Sequence, residues 1–526
     1  MESTCLCGPE WKWKNLIRMK KSSAITLLLG VIIGLTAALF MHQIAGNQRR
    51  LQTKYDDWRK LNLILQTIDE NYVDSVDRKK ATDAAIDAVL ATLDPHSVYI
   101  PPQRLEESEE ELSGNFSGIG IQFNVPNDTA VVIEVIPGGP AEKLGMMPGD
   151  RLLRVDTTNI AGVDFPQDSM VRRMKGPTGT KVKVTVKRGD ETIPFEITRG
   201  KVPTHSVDAA FMVSDTTGFL RLSKFSRTTA QEFAEATARL KDQGMKHLIV
   251  DLRGNSGGFL DQAMMLCNMF LDKGQMIVYM DGLHREHQEY RADGNGRLRD
   301  IGLTLLVSDG TASSSEIFAG AMQDNSRATL VGRRTYGKGL VQEPVYFTDG
   351  SGLRLTVARY YTPSGRCIQK PYTEDYAYDI YKRYENGEMV AADSMNVANG
   401  GIVPDIFVPI DTTKVDSFYI NCNKKATPMR FASAFFDSHK AELQSIDTYD
   451  ELLSFLDRSS LERQFLNFAL KHDSLSPNPG EWEVERTYMM TQVRALVGRY
   501  SKLGDNAFYH LYLQTDEVYK AAMAAL

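Results

Sequence analysis

The clearest structural pattern in the chain lies at residues 247–271, which read His247-Leu-Ile-Val-Asp-Leu-Arg-Gly-Asn-Ser-Gly-Gly-Phe-Leu-Asp-Gln-Ala-Met-Met-Leu-Cys-Asn-Met-Phe-Leu271. An apolar run of strand length is followed by a glycine-rich turn and then by apolar residues at helical spacing. A strand, turn and helix in this order build a parallel sheet with crossover helices. The alternation continues with strands predicted at 218–222, 303–307 and 328–331 and helices at 230–243 and 314–325. The region 202–411 is therefore predicted to be an α/β domain.

The preceding region, 111–201, has the pattern of a small β domain. Apolar residues at every second position predict strands near 119–123, 131–136 and 182–186. Between them, residues 137–150 read Pro-Gly-Gly-Pro-Ala-Glu-Lys-Leu-Gly-Met-Met-Pro-Gly-Asp, which predicts a short helix and a glycine-containing turn. The stretch resembles a PDZ domain. The resemblance implies that Gly118, Ile119, Gly120 and Ile121 form a loop that binds a terminal carboxylate beside a strand edge that accepts a peptide.

Helical patterns flank these two domains. Apolar residues at helical spacing over 56–93 predict two amphipathic helices in a region 42–110, and the second ends at Leu93-Asp-Pro-His-Ser97 because proline disfavours a helical residue before it. An acidic run at 106–111 follows. The region 412–526 is predicted to be mostly helical, with a break near 474–479.

An uncharged apolar run at 22–41 predicts a single transmembrane anchor. Twenty residues span a ~30 Å hydrocarbon core, and five basic residues precede the run. The sequence therefore predicts that residues 1–21 are cytoplasmic and that the catalytic part lies on the periplasmic side of a bacterial inner membrane. A cleaved signal peptide and a buried helix are the alternatives.

Composition narrows the function classes. Lys and Arg number 61 and Asp and Glu 67 in 526 residues, a net charge of −6, so the chain as a whole does not attract nucleic acid. The 5 cysteines are too scattered for a disulfide scaffold, and no His/Cys cluster predicts a metal site. We expect no cofactor.

Two glycine-rich motifs leave alternatives open. Residues 254–258 match G-x-S-x-G between a strand and a helix, which would make Ser256 a nucleophile, but no motif surrounds any downstream histidine. The same turn could instead donate backbone N–H groups to an oxyanion. Residues 332–339 resemble a P-loop but have Gly339 where the magnesium-binding hydroxyl would stand, and Lys338 alone reads as a solvated loop residue.

A third motif, Thr311-Ala-Ser-Ser-Ser-Glu316, lies between a predicted strand and a predicted helix. Ser313 and Glu316 have the spacing of a capping box, which requires no catalysis. A hydroxyl at a helix N-terminus is also where the macrodipole favours a developing anion. The local sequence does not decide between capping and nucleophilic roles.

Several motifs occur together in one order over roughly residues 60–410. They are Leu93-Asp-Pro-His-Ser97, the PDZ-like stretch, residues 251–258, residues 311–317, residues 337–339, Gln342, Tyr361-Thr-Pro-Ser-Gly365 and Gly401-Ile-Val-Pro-Asp405. In this combination the chain resembles the carboxyl-terminal processing (tail-specific) serine proteases. The family's core is crotonase-like, and the region after residue 411 is not covered by the resemblance.

The resemblance implies roles for particular residues. It places the nucleophile on Ser313, the lysine base on Lys338 and an orienting glutamine on Gln342. The oxyanion would be held by N–H groups of Gly257 or Gly258 and of Ser314. A neutral lysine requires a lowered pKa, to which Arg333 and Arg334 would contribute if they point inward. Ser314 departs from the usual alanine and adds a second hydroxyl.

The sequence therefore predicts a membrane-anchored serine endopeptidase with a Ser/Lys dyad, whose PDZ domain recognises free C-termini of protein substrates. An inactive membrane-tethered PDZ scaffold is the alternative, although both Ser313 and Lys338 are present. A crotonase-like acyl-CoA enzyme is a third reading, disfavoured by the anchor and the PDZ-like insertion. Whether the chain forms a homo-oligomer is left open.

Overall fold

The parallel sheet predicted around residues 247–271 is present. The computed structural model describes residues 58–102, 104–105, 114–125, 128–372, 378–391, 400–411 and 413–526. The predicted anchor at 22–41 and the acidic run at 106–111 lie outside these residues. In the described part, we find no helix with the length and apolar character needed to cross a bilayer.

The strands are β1 (Val98–Ile100), β2 (Asn115–Gly118), β3 (Ile121–Asn124), β4 (Ala130–Val135), β5 (Arg151–Val155), β6 (Thr158–Asn159), β7 (Lys181–Arg188), β8 (Glu191–Thr198), β9 (Gly200–Pro203), β10 (Val207–Met212), β11 (Thr217–Leu222), β12 (His247–Asp251), β13 (Met276–Gly282), β14 (Arg285–Arg291), β15 (Gly302–Val307), β16 (Thr329–Gly332), β17 (Leu340–Tyr346), β18 (Gly352–Tyr361) and β19 (Ile406–Phe407).

The helices are α1 (58–71), α2 (Arg78–Leu90), α3 (Pro140–Lys143), α4 (Gln167–Met174), α5 (Thr229–Asp242), α6 (Leu260–Phe270), α7 (Ser314–Asp324), α8 (Asp379–Glu385), α9 (Ser417–Lys424), α10 (Thr427–Leu443), α11 (Tyr449–Arg458), α12 (Leu461–Asp473), α13 (Pro479–Gly498), α14 (Gly504–Tyr512) and α15 (Glu517–Ala524). The chain divides into two compact units, Met1–Val89 and Leu90–Leu526.

The central sheet has the order β10-β11-β12-β15-β16-β19, and every pair from β11 to β19 is parallel. Both faces are covered, which explains the continuous apolar run in β12. Leu248 and Val250 face a core shared with α5, α6 and α7. Ile249 faces the opposite side, where Val518 and Ala522 of α15 pack. Burial of each such side chain contributes roughly 1.5–3 kcal/mol.

A second, antiparallel sheet was not predicted from the sequence. It has the order β1-β18-β13-β14, with β17 paired to β18 in a long hairpin. β1 follows the Leu93–Ser97 turn directly and pairs with β18. This sheet matters for the site because β17 begins two residues after Lys338.

The PDZ-like region forms a sheet of order β3-β4-β5-β7-β8, in which β3 is an edge strand. The strands predicted at 131–136 and 182–186 are present as β4 and β7, the one predicted at 119–123 begins only at Ile121, and α3 is the predicted short helix. The C-terminal region is helical as predicted, with the break between α12 and α13. Ile133 of β4, which is partly buried, packs against the core of these helices, and Asp437 forms an ion pair with Arg151 of β5, so the C-terminal helices contact the PDZ-like region.

Candidate active site

Ser313 lies at the N-cap of α7, where the loop after β15 enters the helix. Its φ of 57° and ψ of −119° are rare for a residue other than glycine, and such backbone strain clusters at functional sites. The Ser313 N–H donates to Oε2 of Glu316 (2.9 Å), the carboxylate half of the predicted capping box. Among the described residues the Ser313 hydroxyl forms no capping bond, so the Glu316 carboxylate makes the cap, and the hydroxyl stands where the helix dipole stabilises negative charge.

The hydroxyls of the two neighbouring serines form hydrogen bonds to the glycine-rich turn. The Ser314 hydroxyl donates to the Gly258 carbonyl oxygen (2.8 Å), and the Ser315 hydroxyl donates to the Asn255 carbonyl oxygen (3.0 Å). Both serines are buried, whereas Ser313 is only partly buried. The extra hydroxyl of Ser314 thus joins the start of the helix to the glycine-rich turn.

The glycine-rich turn packs directly against Ser313. A Cβ added at Gly257 would stand 2.7 Å from the Cβ of Ser313, and one at Gly258 would stand 2.0 Å from the Phe225 carbonyl oxygen. Their φ angles of 98° and 146° also disfavour any side chain. Ser256, the alternative nucleophile, is exposed to solvent on this turn.

Asn255 organises the turn and was missed by sequence reasoning. It is fully buried, and its carbonyl accepts from the Ala312 N–H (3.0 Å), which joins the turn to the Ser313 loop. Its side chain accepts from the Gly257 N–H (2.9 Å). The Ser314 N–H has no partner within its helix because Ser314 is the first helical residue. Within the described ranges, no hydrogen bond uses the Gly258 N–H.

Lys338 comes from the loop between β16 and β17. Its ammonium nitrogen donates to Oε1 of Gln342 (3.1 Å). Burial lowers the pKa of Lys338, and the positive charge of Arg354 lowers it further, while Glu316 opposes the shift. A lowered pKa favours the neutral amine that a general base requires.

The backbone segments of Lys338 and Ser313 share Glu316 and Tyr360 as hydrogen-bond partners, but the two side chains are not bonded to each other. Across the described residues, no hydrogen bond joins Lys338 Nζ to Ser313 Oγ. Such contacts are often long in the absence of substrate and tighten when it binds.

Glu316 and Tyr360 connect the two segments. Oε2 of Glu316 accepts from both the Ser313 N–H and the Lys338 N–H (2.9 Å each), and Oε1 accepts from the Gly337 N–H (2.7 Å). The Tyr360 hydroxyl lies within hydrogen-bond distance of the carbonyl oxygens of Ser313 (3.1 Å) and Lys338. Both side chains are fully or almost fully buried. Burial raises the pKa of Glu316, and these donors oppose the shift.

The Leu93–Ser97 turn positions Gln342. Gln342 Nε2 donates to the His96 carbonyl oxygen (2.5 Å), which leaves Oε1 directed at Lys338. Asp94 fixes the turn by accepting from the N–H groups of His96 (2.8 Å) and Ser97 (2.9 Å). Burial, followed by the charge of Lys338, lowers the pKa of His96 to about 4, so its imidazole is neutral at neutral pH.

Arg333 and Arg334 would lower the pKa of Lys338 only if they pointed toward it, and Arg334 is bonded elsewhere. Arg334 forms a buried ion pair with Glu388 (2.5 Å), and its Nη1 donates to the Gly400 carbonyl oxygen (2.6 Å). Arg354 of β18, rather than Arg333 or Arg334, is the cation with the largest effect on the pKa of Lys338.

The predicted peptide-binding loop lies between β2 and β3. The Ile119 and Gly120 carbonyls accept from the N–H groups of Ala141 (2.8 Å) and Ile136 (3.0 Å), which fixes the loop to α3 and the end of β4. Gly120 has a φ of 83°, and a Cβ there would stand 3.1 Å from the Gly139 Cα. Among the described residues, no group of three or more His, Cys, Asp or Glu could hold a metal ion.

Three family models match the chain. The model of peptidase family S41 matches residues 216–378, a PDZ domain model matches 117–198, and the model of the activating protease CtpB N-terminal domain matches 33–103. Together with the site, these matches define a serine peptidase that carries a PDZ domain.

Curated relatives agree. A probable CtpA-like serine protease of Staphylococcus haemolyticus (strain JCSC1435) is 34% identical over 360 residues, which cover 67% of this chain and 71% of the relative. One from Staphylococcus aureus (strain N315) is 32% identical over 360 residues, with the same coverage of 67% and 71%. The chain belongs to peptidase family S41, within its CtpA-like serine-type C-terminal processing peptidases.

Solved structures include a photosystem II D1 C-terminal processing protease, 28% identical, with coverage of 66% of this chain and 91% of that chain and a TM-score of 0.35. The PDZ domain of a carboxy-terminal protease from Vibrio cholerae, solved in complex with a peptide, is 28% identical and covers 17% of this chain and 97% of that chain, with a TM-score of 0.16.

Proposed function

We propose that this chain is a membrane-anchored endopeptidase in which Ser313 is the nucleophile and Lys338 is the general base. The observation that carries the proposal is the shared oxygen of Glu316, which accepts from the backbone N–H groups of both residues. One atom thereby fixes the segment of the nucleophile relative to the segment of the base. An unactivated serine is a weak nucleophile, and a neutral lysine beside it supplies the missing base.

The reaction is acyl transfer. Lys338 takes the proton of the Ser313 hydroxyl as its oxygen attacks the scissile carbonyl carbon. The protonated lysine then gives that proton to the departing amine, and water hydrolyses the acyl-enzyme in a second step with the lysine again as base. Gln342, held by the His96 carbonyl, orients the amine throughout.

The tetrahedral oxyanion is held by backbone N–H groups from the glycine-rich turn and from Ser314. The proposal draws support from the contact of Gly257 with Ser313 and from the Gly258 and Ser314 N–H groups described above. The Gly257 N–H would have to leave the Asn255 side chain to take part. Each such donor is worth about 2.7–4 kcal/mol in comparable hydrolases.

The test uses the purified full-length chain and an unfolded protein as substrate. We expect fragments whose new ends are read by mass spectrometry, and none above background with the Ser313→Ala variant. A Ser313→Ala chain that cleaves as fast as the parent would reject Ser313 as the nucleophile.

The PDZ domain selects substrates by their free C-termini. The Gly118–Ile121 loop would hold the terminal carboxylate, and the peptide would add as a strand to the free edge of β3. A peptide acid should therefore bind at least tenfold more tightly than its C-terminal amide.

A matched pair of variants sharpens this test. Gly120→Ala should weaken binding of the acid because its Cβ would crowd Gly139, whereas Gly145→Ala has a similar φ of 79° but no atom within 4 Å of the added Cβ. Equal affinity for acid and amide would remove the recognition role.

Residues 22–41 anchor the protein, with residues 42–526 outside the cytoplasm. Support comes from the uncharged run and the basic residues before it. Protease added to intact spheroplasts should digest the body of the protein, and full protection of that body would reverse the orientation.

A further inference from the structure

The C-terminal helices lie beyond the match to peptidase family S41, which ends at residue 378. The reaction proposed above does not involve them. Their last part, α14 and α15, contacts the catalytic domain directly. Val518 and Ala522 of α15 pack on the face of the parallel sheet that also contains Ile249 of β12. β12 is the strand that leads into the glycine-rich turn, so α15 supports that strand from behind.

Asp516, the N-cap of α15, makes a polar contact with the same turn. One carboxylate oxygen accepts from the Tyr519 N–H (2.9 Å), which caps the helix. The other lies 2.6 Å from Nη1 of Arg253. The Asp516 side chain is 7% exposed and that of Arg253 19%, so the ion pair is largely shielded from water.

Arg253 is the residue immediately before the turn, and its guanidinium lies between two carboxylates. Its Nε and Nη2 donate to Asp251 at the end of β12 (2.9 and 2.8 Å), and its Nη1 faces Asp516. Charge-assisted bonds of this kind fix geometry strongly, because a displaced guanidinium would lose its ion pair with Asp516, whereas Asp251 also pairs with Arg221 (3.0 Å).

We propose that Asp516 is a positioning residue for catalysis: through Arg253 it fixes the glycine-rich turn against Ser313. The inference rests on the proposed role of that turn as the oxyanion hole. It gives the C-terminal helices a part in the reaction.

The turn transmits a displacement directly to the reacting atoms. Asn255, two residues after Arg253, accepts from the Ala312 N–H (3.0 Å), and Gly257 lies so near Ser313 that a Cβ added to it would stand 2.7 Å from the Ser313 Cβ. An oxyanion donor acts only when it lies about 2.7–3.1 Å from the forming charge. Misplacement by about 1 Å can reduce the rate on the order of 100-fold.

The decisive variant is Asp516→Ser in the full-length chain. Serine caps a helix about as well as aspartate, so α15 keeps its N-cap, but the shorter side chain cannot reach Arg253. We expect kcat to fall roughly 10- to 100-fold while KM and the pH dependence of the rate stay as in the parent. Asp516→Asn, which keeps an oxygen acceptor without the charge, should fall by less.

Asp416→Ser is the matched control, because Asp416 caps α9 in the same helical region by accepting from the Ser417 N–H (2.7 Å). It should keep the parental kcat. An unchanged kcat in Asp516→Ser would overturn the inference, as would an equal loss in both variants or a loss that merely follows the folded fraction measured by circular dichroism. Ser313→Ala is run in the same assay: if it stays active, the proposed dyad fails, whatever Asp516 does.

Discussion

The two halves of the active site are held in different ways. On the nucleophile side, backbone and neighbouring hydroxyls fix Ser313, because Ser314 and Ser315 bond the glycine-rich turn and Glu316 holds the Ser313 N–H. On the base side, the lysine side chain is oriented by Gln342, and its protonation is set by burial and charge. The position of the serine is therefore a matter of backbone geometry, whereas the reactivity of Lys338 is a matter of electrostatics.

The largest expected effect comes from removing the base while keeping its charge. Lys338→Arg should lose activity by roughly four orders of magnitude, because a guanidinium does not release its proton in the working range. Lys338→Ala should fall as far, and the Ser313→Ala/Lys338→Ala double variant no further, because the two residues act as one unit. Steady-state rates on an unfolded substrate measure this. An active Lys338→Arg enzyme would reject the dyad.

Glu316→Gln should disturb the nucleophile side and the base side together, because Glu316 accepts from the backbone N–H groups of both Ser313 and Lys338. We expect kcat/KM to fall on the order of 100-fold. An amide NH₂ would replace an acceptor that faces backbone N–H groups, leaving a buried donor unpaired at a cost of about 1–3 kcal/mol in unfolding free energy.

Glu485→Gln is the control for that variant, because Glu485 is also fully buried and accepts from the Asp416 and Tyr419 N–H groups in the C-terminal helices. Its unfolding midpoint in urea should fall similarly while its kcat stays at the parental value. Equal losses of kcat in both variants would reduce Glu316 to a purely structural role.

Much of the fold could be predicted from the sequence, and so could the family. The alternation of strands and helices around residues 247–271 correctly predicted the parallel sheet, because a buried strand and an amphipathic helix leave local patterns. The membership of the family and its PDZ domain were likewise predicted from ordered motifs and are confirmed. The assignment of Ser313 and Lys338 to the dyad remains a prediction.

Contacts between residues that are far apart in the sequence could not be predicted from it. Gln342 meets the His96 carbonyl, Arg354 acts on Lys338, and Asp516 meets Arg253, across separations that leave no local pattern. The β17–β18 hairpin places Arg354 near Lys338, whereas the sequence alone pointed only to the adjacent Arg333 and Arg334 as nearby positive charge. Sequence proximity is a poor guide to electrostatic neighbours, because the fold brings remote strands to within a few ångströms.

Arg354→Gln tests how nearby positive charge sets the pKa of Lys338, and its expected effect is smaller. The rate of proteolysis should rise with pH as Lys338 loses its proton. The apparent pKa of this rising limb of the pH–rate profile should lie below the ordinary lysine pKa of ~10.4. Removing the positive charge raises the pKa of Lys338, so the limb should move to higher pH by up to about one unit and the rate at neutral pH should fall less than tenfold.

Arg359→Gln, an exposed position on the same strand, should leave the limb in place. A limb that stays unmoved in Arg354→Gln would mean that burial alone sets the pKa of Lys338.

The smallest effect is expected at the serine that the G-x-S-x-G pattern singled out. Ser256 is exposed, and the turn contributes through its backbone, so Ser256→Ala should change kcat by less than about twofold. Gly257→Ala, one residue further, adds a comparable group but forces its Cβ to 2.7 Å from the Ser313 Cβ at a φ of 98°, and should be close to inactive. Measured side by side, the two separate a side-chain role from a backbone role. If Ser256→Ala were inactive and Ser313→Ala active, the nucleophile would lie on the glycine-rich turn. The contrast between a serine positioned by its backbone and a lysine tuned by electrostatics would then no longer hold.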